Sequence, residues 1–259
     1  MEASLQEFKR LLDIMDELRE KCPWDSKQTL ESLRTLTIEE TYELADAIIN
    51  HDLDSIREEL GDMLLHIVFY AKIGSEKSAF DITDVLKGIS EKLIFRHPHI
   101  YSDVNVKDSQ EVEENWEQIK LKENKNKRVL SGVPNSLPAL VKAYRMQDKA
   151  RAVGFDWDEK EQVWDKIQEE IDEVKEAIMT KSQAEVEAEF GDVFFSLVNA
   201  ARLYDVNPEN ALERTNIKFR YRFNYLENKA REKERDLRNM SLEEMDAIWN
   251  EAKLKAENE

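Results

Sequence analysis

Two stretches of this chain repeat one another. Residues 38–72 (IEETYELADAIINHDLDSIREELGDMLLHIVFYAK) align without a gap onto 168–202 (QEEIDEVKEAIMTKSQAEVEAEFGDVFFSLVNAAR). Glu39, Glu40, Glu43, Glu59, Gly61 and Asp62 fall on Glu169, Glu170, Glu173, Glu189, Gly191 and Asp192. A Glu-rich chain pairs Glu with Glu by accident. It less readily also pairs Gly-Asp with Gly-Asp, Ala47-Ile48 with Ala177-Ile178, and one apolar run with another. The chain is therefore read as a duplication, and whatever one copy folds into, the other is expected to fold into as well.

That unit is helical. Apolar residues recur at helical spacing almost throughout. The 259 residues include only six glycines and five prolines, too few breakers for a turn-rich sheet protein. The periodicity predicts helices near 3–21, 27–50, 54–74, 82–95 and 109–124, and again near 137–152, 159–180, 183–205, 208–236 and 242–256. Ser182 with Glu185, and Ser241 with Glu244, have capping-box spacing, and Asn207-Pro208 sets a cap before a proline at the first helical position. The stretch 122–138, KENKNKRVLSGVPNSLP, is first charged and then broken by Gly132, Pro134 and Pro138. The expected organisation is all-α with antiparallel bundle packing: one helical unit over 1–121, a linker over 122–136 and a second unit over 137–259.

Each copy carries E-E-x-x-E on one helix and E-x-x-D on the next. Residues three or four apart share a helix face, so Glu170 and Glu173 project together, with Glu169 within reach of Glu173. Glu189 and Asp192 project from the partner helix. A short connection makes the two helices antiparallel neighbours, so the acidic pairs face one groove. By itself E-E-x-x-E describes a solvated acidic face. The second helix argues otherwise. With Glu189 at 0°, Asp192 falls at about 300°, Ser196 at about 340° and Asn199 at about 280°. Apolar residues fill the rest of the circle, so this helix is expected to be mostly buried.

Acids clustered in such a place are costly: two like charges about 5 Å apart repel by roughly 3 kcal/mol at an effective dielectric near 20. With no matching cations apparent in the same turns, an all-carboxylate set suits a hard divalent ion, Mg²⁺ with Mn²⁺ as substitute. The candidate ligands are Glu170, Glu173, Glu189 and Asp192, with Glu40, Glu43, Glu59 and Asp62 as counterparts. Zinc lacks a Cys/His cluster here, and no histidine has Glu three residues before it, as a di-iron site would want.

Cations follow each motif: Lys92-x-x-x-Arg96 then Trp116-x-x-x-Lys120, and Lys218-x-x-x-Arg222 then Trp249-x-x-x-Lys253. This spacing puts each cation pair on one face and sets each Trp beside a Lys. Such cations suit a triphosphate, and a Trp offers a flat surface to a base or ribose. Surface ion pairs and core tryptophans explain any one of these residues equally well; their repetition favours a site.

The formal net charge of −18 makes nucleic acid and anionic membranes poor partners. The apolar stretches near 63–71 and 193–201 are too short to span a bilayer. A lone cysteine, Cys22, fits a reducing compartment, and the cytoplasm is the expected location.

Taken together, these residues resemble the MazG family of nucleoside triphosphate pyrophosphohydrolases, in its two-repeat form, over nearly the whole chain. The marks are Cys22-Pro23-Trp24-Asp25, Glu39-Glu40-x-x-Glu43, Glu59-x-x-Asp62, His97-Pro98-His99, Val153-Gly154-Phe155-Asp156-Trp157, Glu169-Glu170-x-x-Glu173 and Glu189-x-x-Asp192, with 218–223 and 249–253 near the C-terminus. The resemblance implies hydrolysis of nucleoside triphosphates to nucleoside monophosphate and diphosphate, a homodimer, broad base tolerance and a more active C-terminal half. Glu169, Glu170, Glu173, Glu189 and Asp192 would be catalytic, with Glu169 orienting or deprotonating water. Asn199, Lys218, Arg222, Trp249 and Lys253 would bind substrate. The halves differ where Ser196 and Asn199 face His66 and Phe69, which puts catalysis by the first half in question. The rival readings are an acidic helical scaffold without chemistry and a nucleotide-sensing module.

Overall fold

The computed structural model describes residues 2–102, 104–108, 111–112, 115–116, 119–120 and 128–256. No strand occurs among them, and none of their helices is long and apolar enough to cross a membrane. The chain divides into two compact units, 1–119 and 120–259. The helix expected at 109–124 falls largely outside the described residues, as does 122–127 of the expected linker. Val129–Gly132 forms a 3₁₀ turn within the second unit.

The first unit comprises α1 (Glu2–Lys21), α2 (Leu30–Ile49), α3 (Leu53–Glu76), α4 (Ile82–Arg96) and the single turn α5 (Pro98–Tyr101). The sequence pattern starts α2 near 27. The helix starts instead at Leu30, because Thr29 and Ser32 form a capping box and Asp25–Lys27 is taken by a separate 3₁₀ turn. Asp52 caps α3 by accepting from the N–H groups of Asp54 and Ser55, which closes a tight α2–α3 hairpin. Met15, Leu33, Val68, Phe69 and Ile73 form the core between α1, α2 and α3. Burying each such side chain is worth about 1.5–3 kcal/mol.

The second unit comprises α6 (Ala139–Arg151), α7 (Gln162–Thr180), α8 (Gln183–Leu203), α9 (Pro208–Glu232) and α10 (Leu242–Ala256). The capping boxes at Ser182 and Ser241 form, and Asn207 accepts from the N–H of Asn210 ahead of Pro208. α9 ends at Glu232 rather than 236, and Asp236 caps a 3₁₀ turn, Leu237–Asn239. α6 closes with Gly154 N–H on Arg151 O (2.9 Å) and Phe155 N–H on Ala150 O (3.0 Å), a Schellman pattern. Gly154 has φ +86°, where a side chain would be strained. This turn delivers Phe155, Asp156 and Trp157 to the site described below.

One expectation fails. α8 is not mostly buried: Phe190 is 43% exposed, Phe194 59%, Phe195 44% and Leu197 43%. Only Ser196, Val198, Ala200 and Arg202 are buried along it. α6 and α7 cover one side of α8, and its other apolar side is left exposed among the described residues.

Candidate active site

The α7–α8 hairpin brings its acids together as the spacing requires. Carboxylate oxygens of Glu170, Glu173 and Glu189 all lie within 4.8 Å of one another, and so do those of Glu40, Glu43 and Glu59 in the α2–α3 hairpin. Glu170 is buried, Glu189 half-buried and Glu173 exposed. Asp192, one turn further along α8, stands outside this triplet and lines a cavity together with Glu170. Asp62 also stands outside its triplet, yet lies near enough to push up the carboxyls of Glu40 and Glu59.

The electrostatics of the two hairpins differ. Burial raises the pKa of Glu40, and Asp62, Glu43, Glu59 and Glu39 add to the rise. Glu59 is raised in the same way by burial, Glu43, Asp62 and Glu58. Glu173 is raised by burial and then by Glu170, but Lys166 opposes the shift. Here the reading of the acids as lacking matched cations is corrected. Lys166 donates to Glu169 (2.9 Å) and pairs with Glu170 (2.8 Å), while Lys181 donates to Glu189 (2.7 Å). Both ammonium groups are held above their usual range, Lys166 chiefly by Glu170 and Lys181 chiefly by Glu189. At the matching positions the first unit has Leu36 and His51. Lys166 was discoverable from the sequence, since it lies four residues before Glu170 on the same face.

Beside the second cluster opens a cavity of about 640 Å³, lined by Glu170, Asp192, Ser196 and Asn199 as well as Met146, Gln147, Phe155 and Trp157. Arg202, which the motif search passed over, is buried in its wall. It donates to Asn199 Oδ1 through Nε (3.1 Å) and Nη2 (2.9 Å), to Asp156 Oδ2 through Nη1 (3.0 Å), and to Asp156 Oδ1 through Nη2. Its place in the repeat, opposite Lys72, was the available signal.

In the first unit Phe69 stands where Asn199 does and is only 2% exposed in the core, with the Arg19 guanidinium 5.5 Å from its ring centroid. His66 is buried, its Nδ1 2.7 Å from Thr37 Oγ1, which also lies 2.7 Å from the Tyr70 hydroxyl. Burial lowers the His66 pKa.

The downstream cations and tryptophans make contacts between helices. The Trp249 ring meets Phe219 (centroids 5.1 Å apart) and the Arg222 guanidinium (5.8 Å), across the α9–α10 contact. Arg96 sits 5.8 Å from Trp116 in the same way. Lys218, Arg222, Trp249 and Lys253 are not among the residues lining the cavity.

This repeated acidic hairpin has a known counterpart. The family model for the MazG nucleotide pyrophosphohydrolase domain matches residues 28–101 and 159–226, one segment in each unit. The chain belongs to the MazG family. A nucleoside triphosphate pyrophosphohydrolase of Escherichia coli (strain K12) is 41% identical over 259 residues, covering 96% of this chain and 98% of that one. A nucleoside triphosphate pyrophosphohydrolase/pyrophosphatase MazG of Thermotoga maritima is 44% identical over 250 residues, covering 95% of each. An uncharacterised Bacillus subtilis protein, YabN, is 48% identical over 253 residues, which span 95% of this MazG chain and 52% of that protein.

Proposed function

We propose that this MazG-family chain hydrolyses nucleoside triphosphates to nucleoside monophosphate and diphosphate, with Mg²⁺, in its second unit. The observation that carries the reading is the convergence of Glu170, Glu173 and Glu189 within 4.8 Å beside a cavity that Asp192 and Asn199 also line. The names of the Escherichia coli and Thermotoga maritima relatives point to the same reaction.

The donor set fits the ion: it is all oxygen, close-set, and contains a carboxyl whose pKa is raised by burial and neighbouring acids. Glu170, Glu173, Glu189 and Asp192 would hold Mg²⁺, as would Glu40, Glu43, Glu59 and Asp62 in the first unit, with Mn²⁺ as substitute. When bound, the ion neutralises charge on the α-phosphate and lowers the pKa of water. Glu169, exposed beside Glu170, orients the attacking water and accepts its proton. Lys166 and Lys181 occupy Glu170 and Glu189 in the free protein. With those oxygens turned to the ion, the two ammonium groups would be available to phosphate oxygens.

The homodimer belongs to the same proposal. A second copy laid on the open apolar side of α8 would cover Phe190 and Phe194, and Lys218, Arg222, Trp249 and Lys253 would then serve the phosphate chain from α9 and α10. The acidity of the chain, −18 overall, supports leaving nucleic acid and anionic membranes out, and the lone Cys22 supports the cytoplasm.

The test is product analysis for a panel of nucleoside triphosphates with Mg²⁺ and then with chelator. Nucleoside monophosphate and diphosphate are expected, and only with the ion. Nucleoside diphosphate and free phosphate as first products would overturn the assigned bond.

A further inference from the structure

One residue lining the second unit's cavity carries a polar atom that the acidic cluster does not explain. Gln147, on α6, is 7% exposed. Its amide nitrogen donates to Phe195 O at 2.8 Å. That bond fixes which end of the amide is which, because a carbonyl can meet only the N–H side. The other end, Oε1, is buried and has no hydrogen-bond partner among the described residues. Buried acceptors are rarely left unmade, because an unsatisfied one is destabilising.

Gln147 lines the same cavity as Glu170 and Asp192. α8 runs along that cavity, and Asn199 lies about 10 Å beyond Asp192 along the helix axis. Asn199 Oδ1 is already committed to two Arg202 bonds, so the amide nitrogen is the end of Asn199 left to donate. The residues of the lining therefore include one with an unpaired acceptor and one with a donor, with Trp157 and Phe155 at hand for a flat ring. A volume of about 640 Å³ falls within the usual range for small-molecule sites.

We propose that Gln147 reads the nucleobase: its buried Oε1 accepts a hydrogen bond from an N–H group on the base edge, with the ring against Trp157. The proposal rests on the function above only for the phosphate end of the ligand. Gln147 thus sets selectivity for bases that present an N–H, rather than for one base.

The experiment is calorimetric binding of matched nucleoside monophosphates to the full-length chain. The pairs are adenosine and purine riboside, cytidine and its analogue without the exocyclic amine, and uridine and N3-methyluridine, each as the 5′-monophosphate. In at least one pair the N–H-bearing member should bind about tenfold more tightly. Gln147→Leu should bring that pair to equal affinity. Equal affinities within every pair in the unmodified protein would overturn the proposal without any variant. Discrimination that persists in Gln147→Leu would overturn it too, as would no binding of any nucleotide. Discrimination without triphosphate hydrolysis would sink the catalytic reading and leave this one standing; hydrolysis without discrimination would do the reverse.

Discussion

Asn199→Leu is the sharpest structural perturbation of the second unit, because it removes the amide oxygen, and the amide nitrogen with it, while keeping the side chain's branching. That oxygen accepts two bonds from Arg202, at 3.1 and 2.9 Å, and Arg202 is only 8% exposed. A hydrogen bond to a charged group contributes about 1.5–3 kcal/mol, and a buried cation short of a partner adds to the loss. The two bonds share one acceptor, and Asp156 keeps its own pair to the guanidinium. The net cost is therefore about 2–4 kcal/mol rather than twice a full bond. At about 3 °C per kcal/mol for a unit of this size, the melting temperature should fall by about 6–12 °C. Thermal unfolding followed by circular dichroism measures the fall. A double-mutant cycle with Arg202→Leu isolates the pair: residues in one network couple by about 0.5–3 kcal/mol. A fall below about 2 °C, or strict additivity in the double variant, would refute the claim that Asn199 holds Arg202 in the cavity wall.

Millimolar Mg²⁺ should raise the melting temperature, since at about 100 times Kd a ligand specific to the folded state adds about 2.7 kcal/mol. Glu173→Gln should remove the second unit's share of that rise, and a melt indifferent to Mg²⁺ counts against both clusters. Asp192→Asn should cut diphosphate release at least about 100-fold, because even residues behind a metal ligand cost 10–100-fold when changed; Asp62→Asn should leave most of it. Equal losses in those two variants, at matched circular dichroism, would show that both units turn over. The Arg235–Glu244 pair should also make stability pH-dependent. Glu244 is lowered to about 2 by its bonds from Arg235 and from the Ser241 N–H. A depressed carboxyl stabilises above its unfolded pKa, and that contribution is lost as pH falls towards about 2. The melting gap between the unmodified chain and Arg235→Gln should therefore close between about pH 5 and pH 2; a gap constant over that window would contradict it.

Periodicity made most helices legible, and i,i+3 spacing made the acid triplets legible, because both properties are local to one helix or one hairpin. What stayed hidden depends on contacts between distant segments. Arg202 and Asp156 are 46 residues apart, and nothing in either local pattern announces their pairing. Gln147 reads as an ordinary polar residue of α6 until Phe195 is brought against it. The exposure of α8 was misjudged for a related reason. An apolar helix face declares that something covers it, but not that the cover lies within the same chain. Spacing puts Trp249 on one face with Lys253, but it does not announce that the ring is met across the α9–α10 contact by Phe219 and Arg222, which are 30 and 27 residues away in sequence.

The two units keep the same acids and differ in what surrounds them, and the differences point one way. In the second unit each buried or half-buried acid of the triplet has a lysine upon it, Lys166 on Glu170 and Lys181 on Glu189. A cation entering there must displace ammonium groups, which weakens its hold but leaves those groups free for an anionic substrate. In the first unit Leu36 and His51 stand at the matching positions, no cation among the described residues contributes to the shifts of Glu40 or Glu59, and burial, then mutual repulsion, raises both. A divalent ion bound there would relieve repulsion without displacing any lysine of the described residues. Yet Phe69 is packed into the core at the position where Asn199 lines the cavity, with the Arg19 guanidinium against its ring. A phenyl ring also has no polar atom to offer a base or ribose. If both carboxylate triplets take the proposed ion, these neighbours would favour tight holding in the first unit and exchange in the second.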